Sequence, residues 1–311
     1  MLVYAIGLTT RFRRITVREG LLVEGPAGWG EFCPFLEYDD VECVPWRAAA
    51  VEAAHEGWPA PVRARVPVNA IVPAVSASDA YDLVKASGCG TAKVKVADAR
   101  GSLAADVERV AAVRDALGPE GAVRVDANAA WDVDEEVAAI SALDRAACGL
   151  EYVEQPCPSV AELAAVRRRV DVRIAADESI RRAEDPLRVA LAEAADVAVL
   201  KCAPLGGVRR ALAVAEACGL PCVVSSALQT SVGLAAEIAL AGALPDLPFA
   251  CGLGTGALFT TDVVAHPLLP QDGWLDVPRR APAPVRDPAW EASAERAAWW
   301  AARHARVAAL A

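Results

Sequence analysis

The sequence predicts an α/β protein in which an eight-stranded parallel barrel stands beside a smaller α+β unit. From about residue 68, short β-branched runs alternate with alanine-rich segments whose apolar residues recur every three or four positions, the pattern of repeated β–α units. The candidate strands are almost uniformly apolar, as expected for parallel strands buried on both faces. The first 65 residues differ, because their apolar and polar residues alternate as in antiparallel strands.

The N-terminal unit is predicted to contain antiparallel strands, a turn at 25–26 and a helix over about 41–56. The barrel strands are expected at 68–73, 91–96, 122–127, 150–155, 172–177, 196–201, 221–226 and 249–254. Helices are expected over 103–118, 134–149, 160–169 and 208–219. The Trp-rich tail after about residue 257 is expected to return to the first unit. The predicted divisions are therefore 1–65, 66–256 and 257–311.

The composition indicates a folded protein that binds neither nucleic acid nor a membrane. The 311 residues carry a net charge of −10, whereas phosphate binding needs clustered basic charge. The arginine clusters at 11–14 and 167–169 are interpreted as solvated faces. No run reaches the roughly 18 apolar residues of a membrane span, and near the N-terminus the positive charges follow the apolar segment, the reverse of a secretory signal. Nine scattered cysteines without a C-x-x-C pair fit a reducing compartment, so a cytoplasmic protein is expected.

Charged side chains collect at the ends of successive predicted strands, where the active sites of such barrels lie. The residues are Lys93, Lys95, Asp126, Glu154, Asp177 and Lys201. From Lys93 onward, each strand end follows the previous one by 23 to 33 residues, about one β–α unit. Each residue therefore returns to the same rim of the barrel, where three acids face two groups of lysines.

The three acids predict a divalent cation. Two carboxylates about 4 Å apart repel by about 4 kcal/mol at an effective dielectric constant near 20, so a cation is needed among them. A ligand set of two Asp and one Glu, without His or Cys, suits Mg2+ better than Ca2+, which takes six to eight ligands. Taken singly, each acid is equally an ordinary strand-end charge that pairs with an arginine or caps the next helix, an alternative that applies most to Glu178.

The lysines give a second signal. Only four of the 31 Lys and Arg residues are lysines, and three of these are Lys93, Lys95 and Lys201. Arginine cannot lose its proton at physiological pH, whereas a buried lysine beside another cation can. Lys93 and Lys95 are two residues apart on a strand and so point to the same face. The pair is predicted to include a lysine that titrates; the alternative is one solvated lysine and one lysine paired with an acid.

The motifs KVK (93–95), DAN (126–128), EQP (154–156), ADES (176–179) and LK (200–201) followed by GG (206–207) resemble those of the muconate-lactonizing subgroup of the enolase superfamily. The resemblance implies an N-terminal α+β capping domain over 1–65, with GWGE at 28–31, completed by the C-terminal segment. It also implies a modified TIM barrel, (β/α)7β, that lacks the last helix. The shared half-reaction of the family is removal of a proton α to a carboxylate, with the resulting enediolate held by Mg2+.

Carried over by position, the resemblance assigns a role to each strand-end residue. Asp126, Glu154 and Asp177 resemble the metal ligands, and Lys95 resembles the acid/base, tuned by Lys93. Lys201 resembles the lysine on the opposite face, either a second acid/base or a cation over the intermediate. Asn128 and Glu178 are expected to support these groups from behind. Ser225, Ser226 and Thr255, at the last two strand ends, are candidates to bind a substrate carboxylate, although each could equally cap the following turn.

Within the subgroup, SSALQTSVGL (225–234) and CGLGTGALFTTDVV (251–264) look most like the actinobacterial lyases that dehydrate 2-succinyl-6-hydroxy-2,4-cyclohexadiene-1-carboxylate in menaquinone biosynthesis. N-succinylamino acid racemases share nearly all the motifs and are the main alternative. Dipeptide epimerases usually carry an acid pair at the eighth strand end, where this chain has GLGTG. A Schiff-base aldolase or a non-catalytic binding protein fits less well. The expected partner is a small-molecule carboxylate; the oligomeric state stays open.

Overall fold

The computed structural model describes residues 1–98, 101–181 and 188–310. The chain begins with a three-stranded antiparallel sheet, in the order β1-β2-β3. Its strands are β1 (Leu2–Phe12), β2 (Ile15–Gly25) and β3 (Gly28–Phe32). Helix α1 (Val44–Val51), which continues as a π-helical turn over Glu52–Glu56, packs against β3. The predicted N-terminal strands, turn and helix are thus all present.

The barrel is a parallel sheet in which each strand pairs with the next along the chain. After the short strand β4 (Arg65–Pro67), its strands are β5 (Ala70–Val72), β6 (Thr91–Lys95), β7 (Ala122–Asp126), β8 (Tyr152–Glu154), β9 (Ile174–Ala176), β10 (Val197–Leu200) and β11 (Cys222–Val224). The first seven predicted barrel strands are therefore confirmed. Strand β12 (Trp274–Asp276) pairs antiparallel with β4.

The eighth predicted strand, at 249–254, makes single bridges instead of a strand. Cys251 bridges Val68 beside β5, and Gly252 bridges Ser225 at the end of β11, both in parallel. This segment therefore links the two edges of the sheet and completes the ring. A side chain at Gly252 would lie 2.5 Å from the Ser225 hydroxyl oxygen, so close an approach that it needs glycine.

Helices occupy the connections between the barrel strands, as predicted. They are α2 (Ala77–Ser87), α3 (Leu103–Leu117), α4 (Val133–Ala147), α5 (Val160–Arg167), α6 (Glu178–Arg181), α7 (Arg188–Leu191), α8 (Cys202–Leu205), α9 (Val208–Cys218) and α10 (Ser231–Ala243). Ser76, Ser102 and Ser159 cap α2, α3 and α5 by accepting a backbone N–H bond. In the described part of the chain, none of the helices is long and apolar enough to cross a bilayer.

The C-terminal segment packs on the N-terminal sheet. Helix α11 (Ala294–Ala308) buries Trp300, whose indole N–H donates to Glu19 of β2 at 3.1 Å. The backbone N–H of Ala5 donates to the carbonyl of Trp290, which extends the edge of β1. Buried side chains of this layer join those of β1 to β3 and α10 in one apolar cluster. The division at residues 65 and 256 stays a prediction.

Candidate active site

The charged strand ends meet at one rim because the parallel strands are in register. Lys95, Asp126 and Glu154 are the last residues of β6, β7 and β8, and they are paired across the sheet. Asp177 follows β9 directly and Lys201 follows β10 directly. The predicted site residues therefore come together, and with the exception of Glu154 they line one cavity that opens to solvent.

Lys93 is buried and bound to carboxylates. Its Nζ donates to both oxygens of Glu154, at 2.7 and 2.9 Å, and lies 3.5 Å from Asp126 Oδ2. Burial by itself lowers the pKa of this amine, but the charges of Glu154 and Asp126 outweigh burial, so the pKa of Lys93 is raised. Lys93 is thus a fixed ammonium group in the wall of the cavity.

Lys95 has the opposite electrostatic character, although it stands only two residues away. Its Nζ donates to Asp126 Oδ2 and to Asn128 Oδ1, the latter at 2.8 Å. Burial and the charge of Lys93 lower the pKa of Lys95, and they outweigh the opposing attraction of Asp126. Of the two lysines, Lys95 is therefore the one suited to give up its proton and act as a base.

Lys201 approaches the cavity from the other side. Its Nζ donates to Asp177 Oδ2 at 2.5 Å, and both side chains are buried. In the sheet order, β6 and β10 are four positions apart in a ring that residues 251–252 complete. Lys95 and Lys201 consequently face each other across the mouth of the barrel, where each can contact a different face of a planar ligand.

The three carboxylates are buried and close enough to influence each other. Burial and the charge of Asp126 raise the pKa of Glu154 to about 7. Burial also acts to raise the pKa of Asp126, but Lys95 and Lys93 outweigh it and the pKa is lowered. Each acid carries a lysine hydrogen bond, and among the described residues no three such side chains already stand in metal-binding geometry.

The donor set nevertheless fits Mg2+. Asp126, Glu154 and Asp177 supply only oxygen atoms, from the ends of three adjacent strands, and their side chains are almost fully buried. Their mutual repulsion shows in the raised pKa of Glu154, to which both aspartates contribute. A divalent cation bound by these three oxygen donors would relieve that repulsion.

Neighbouring polar groups hold the site in place. Asn128, at φ 47°, accepts the Lys95 bond and donates its backbone N–H to Asp126 Oδ1 at 3.0 Å. Glu178 lines the cavity beside Asp177. Gln155 was missed by sequence reasoning, although it lies inside the EQP motif. Its Oε1 accepts the backbone N–H groups of Asp177 and Ser179, at 2.9 and 3.1 Å, which fixes the turn that carries the third acid.

The hydroxyl groups predicted to bind substrate lie at the end of β11 and after the bridging segment at 251–252. Ser225, Ser226 and Thr255 all line the cavity. Ser226 Oγ and Thr255 Oγ1 are 2.5 Å apart, and Ser226 Oγ also accepts the backbone N–H of Leu228 at 3.2 Å. Ser225 Oγ is 3.5 Å from the carbonyl of Gly252. These groups are neutral hydrogen-bond donors and acceptors.

The structure adds two residues that the sequence interpretation placed in solvent. Phe12 and Arg13, at the tip of the β1–β2 hairpin, line the cavity from the N-terminal sheet. The Lys95 ammonium lies 5.3 Å from the centre of the Phe12 ring. The signal that could have found this tip is its sequence: two arginines occupy a two-residue hairpin turn, where Asn-Gly is usual.

Two amines on opposite sides of a cavity, with three buried carboxylates between them, suit proton abstraction next to a substrate carboxylate. A metal held by the acids would bind that carboxylate, and either lysine could reach an adjacent C–H bond. The arrangement offers no serine–histidine or cysteine–histidine pair among the residues that line the cavity.

Two family models match the chain. Residues 76–282 match the family model described as enolase C-terminal domain-like, and residues 3–54 match the enolase N-terminal domain-like model. The o-succinylbenzoate synthase of Thermobifida fusca is 63% identical over 305 residues, which are 95% of this chain and 96% of that protein.

Two solved structures have the same fold. The muconate lactonizing enzyme from Pseudomonas putida aligns with a TM-score of 0.73 and 21% identity, over 96% of this chain and 97% of that one. A dipeptide epimerase from Enterococcus faecalis, complexed with Mg and the dipeptide L-Leu-L-Tyr, aligns with a TM-score of 0.73 and 22% identity, over 90% and 96% of the two chains.

Proposed function

The chain belongs to the enolase superfamily, and from that premise we propose that it acts as an o-succinylbenzoate synthase. The reaction removes water from 2-succinyl-6-hydroxy-2,4-cyclohexadiene-1-carboxylate and leaves the aromatic product, a step of menaquinone biosynthesis. The observation that carries the assignment is the 63% identity with the Thermobifida fusca synthase, which extends over nearly the whole of both chains. The enzyme is a hydro-lyase.

The residue roles follow from the positions of the two amines. Neutral Lys95 takes the proton from C1, next to the ring carboxylate, and the C–H electron pair forms the enediolate. The pair then returns to the ring as the C6–O bond breaks, and the Lys95 ammonium gives its proton to the departing hydroxyl, which leaves as water. One amine serves twice because proton and hydroxyl leave from the same face, a syn elimination.

Lys201 lies across the ring from Lys95 and stabilises the negative charge of the intermediate. Lys93 keeps its own proton, because Glu154 and Asp126 raise its pKa. Its charge favours the neutral form of Lys95, which the base needs at the start of each cycle. These different roles of Lys93 and Lys95 are supported by the opposite directions of their pKa shifts on the same strand.

Asp126, Glu154 and Asp177 would hold Mg2+, which when bound supplies positive charge to the carboxylate oxygens on which the enediolate charge develops. The all-oxygen donor set and the Mg complex of the Enterococcus faecalis epimerase support this ion. Asn128 and Glu178 support Lys95 and the third acid. Ser225, Ser226 and Thr255 contact the substrate through their hydroxyl groups, which line the same cavity.

Racemisation of N-succinyl amino acids is the second candidate, supported by the presence of a lysine on each side of the cavity. The test incubates the purified protein and Mg2+ with the cyclohexadiene substrate and, separately, with N-succinyl amino acids in D2O. Conversion of the ring substrate to o-succinylbenzoate at rates of about 1 to 1,000 per second supports the synthase. Exchange of the α-proton of N-succinyl amino acids, without ring dehydration, would reject it.

We further propose that the enzyme works in the cytoplasm on a small-molecule carboxylate and has no nucleic-acid or membrane partner. The net charge of −10 and the scattered cysteines support this placement.

A further inference from the structure

The backbone at the tip of the β1–β2 hairpin is strained, although a turn of other residues could form the same hairpin without strain. Phe12 pairs with Ile15, so Arg13 and Arg14 form a two-residue turn, and both have positive φ, 46° and 68°. Such a turn favours Asn-Gly, because side chains other than those of Gly, Asn and Asp are strained there. Backbone strain of this kind is concentrated at functional sites.

The two arginines of the turn have different surroundings. Arg13 is half-buried and lines the cavity, whereas Arg14 is exposed. The Arg13 guanidinium lies 4.2 Å from the centre of the Phe35 ring, and that of Arg18 lies 4.3 Å from the same centre. Stacking on a ring leaves the N–H groups in the guanidinium plane able to bind an anion.

This stack is anchored in the wall of the cavity. The buried Arg18 donates to the carbonyls of Leu228 and Ala227, at 2.9 and 3.2 Å, and also to the carbonyl of Cys33. Ala227 and Leu228 themselves line the cavity. The N–H groups of Arg18 are thus used to bind backbone carbonyls of the protein. Phe35 holds Arg13 in a defined position above the same wall.

Arg13 differs from the lysines of the cavity in having no carboxylate beside it in the described ranges of the chain. Lys93, Lys95 and Lys201 each contact a carboxylate at the barrel rim. The hydroxyl groups of Ser226 and Thr255 bond to each other and carry no charge. An anionic group that enters beside the hairpin would therefore find one unpaired cation.

We propose that Arg13 binds the succinyl carboxylate of the substrate. The inference rests on the proposed function, because it is the substrate of that reaction which carries a second carboxylate. With the ring carboxylate at the acids and Lys95, the succinyl arm extends toward the hairpin, where a planar guanidinium can bind a carboxylate through two N–H groups. Arg13 is thereby a specificity-determining residue supplied by the N-terminal sheet.

The test measures binding calorimetrically, with Mg2+ present, for two ligands that differ in one group. o-Succinylbenzoate has the distal carboxylate, and 2-butyrylbenzoate has a methyl group in its place. Arg13→Gln should weaken o-succinylbenzoate binding by about ten- to a hundredfold and leave 2-butyrylbenzoate binding within about twofold. Arg13→Lys keeps the positive charge but loses the paired N–H groups of the guanidinium. Its affinity for o-succinylbenzoate should lie between those of Arg13→Gln and the unchanged protein.

Arg14→Gln is the matched control, since it changes an exposed arginine in the same turn with the same backbone conformation. It should bind both ligands like the unchanged protein. Equal weakening of both ligands by Arg13→Gln would overturn the inference in favour of a purely structural role, and so would unchanged binding of o-succinylbenzoate. If the unchanged protein binds 2-butyrylbenzoate but not o-succinylbenzoate, or binds neither, the proposed function itself fails and the role of Arg13 with it.

Discussion

Lys93 binds both carboxylate oxygens of Glu154, with its Nζ 2.7 and 2.9 Å from them. This pairing keeps Lys93 charged inside the barrel, and the charge acts on Lys95 two residues further along the same strand. A like-charge pair on one face of a strand is unfavourable for folding. The lysine pair has a purpose if one lysine is fixed as an ammonium group and its charge helps the other to give up its proton.

Asn128→Gly should separate activity from stability. Asn128 has φ 47°, a conformation that glycine adopts without strain, so the free energy of unfolding should change by less than about 1 kcal/mol. The variant loses the Oδ1 acceptor 2.8 Å from Lys95 Nζ, which orients the base. Turnover should fall by about ten- to a hundredfold, the usual effect of removing a supporting hydrogen bond.

Turnover and urea unfolding of the same Asn128→Gly preparation check this prediction. Unchanged turnover would mean that Lys95 is positioned without Asn128. If the free energy of unfolding falls by as much as the activation free energy of turnover rises, Asn128 acts by stabilising the fold.

Glu237 predicts a pH dependence of stability. This carboxyl is buried on α10 and accepts the backbone N–H of Cys202 and the side-chain N–H of Gln229, both at 2.7 Å. Burial raises its pKa to about 7, against these hydrogen bonds. The folded state therefore keeps the proton that the unfolded chain releases near pH 4.3, and stability is lost as the pH rises from about 4.3 to 7.

Glu237→Gln removes this titration. The free energy of unfolding of the variant, relative to the unchanged protein, should rise by about 2 to 3 kcal/mol between pH 5 and pH 8, whatever constant offset the substitution adds. Urea denaturation of both proteins at four pH values measures the difference. Two parallel curves would show that Glu237 is ionised throughout and that its environment differs from the one described.

Removal of Mg2+ should abolish activity and leave the fold intact. Lys93, Lys95 and Lys201 already offset the charges of the three acids, so the metal-free protein does not depend on the cation to fold. EDTA should reduce turnover to background, with the far-UV circular dichroism unchanged, and added Mg2+ should restore turnover. Thermal unfolding should shift upward with Mg2+ concentration as expected for a ligand of the folded state.

Full activity after EDTA treatment would contradict the assignment of Asp126, Glu154 and Asp177 as metal ligands. Trapping of substrate on a lysine by borohydride under those conditions would point to a Schiff-base enzyme instead.

The strand-end residues could be predicted from the sequence because, in this fold, position along the chain is enough to tell which residues lie at the active-site rim. In a parallel β–α barrel every strand ends at the same rim, so spacing along the chain already places Lys95, Asp126 and Glu154 together. The local patterns of apolar residues likewise predicted the helices and the first seven strands. The eighth segment was less predictable, because its role depends on the approach of Gly252 to Ser225.

Arg13 and Glu237 could not be predicted in the same way. Arg13 reaches the cavity only because the N-terminal sheet packs over the barrel mouth, a contact between distant parts of the chain that no local pattern records. Glu237 lies in an apolar helix, and its partners are Cys202, 35 residues earlier in the chain, and Gln229, in the segment just before the helix. Sequence spacing shows which residues share a rim, whereas packing decides what covers it.

The central claim, that Lys95 is the base, is tested most directly by the turnover of Lys95→Arg with the cyclohexadiene substrate and Mg2+. Arginine keeps the positive charge but cannot release its proton, so turnover should fall by at least about a hundred- to ten-thousandfold. Lys85→Arg is the matched control, because Lys85 is an exposed lysine on α2, and it should retain full turnover. Turnover of Lys95→Arg within a few fold of the Lys85→Arg control would contradict the account.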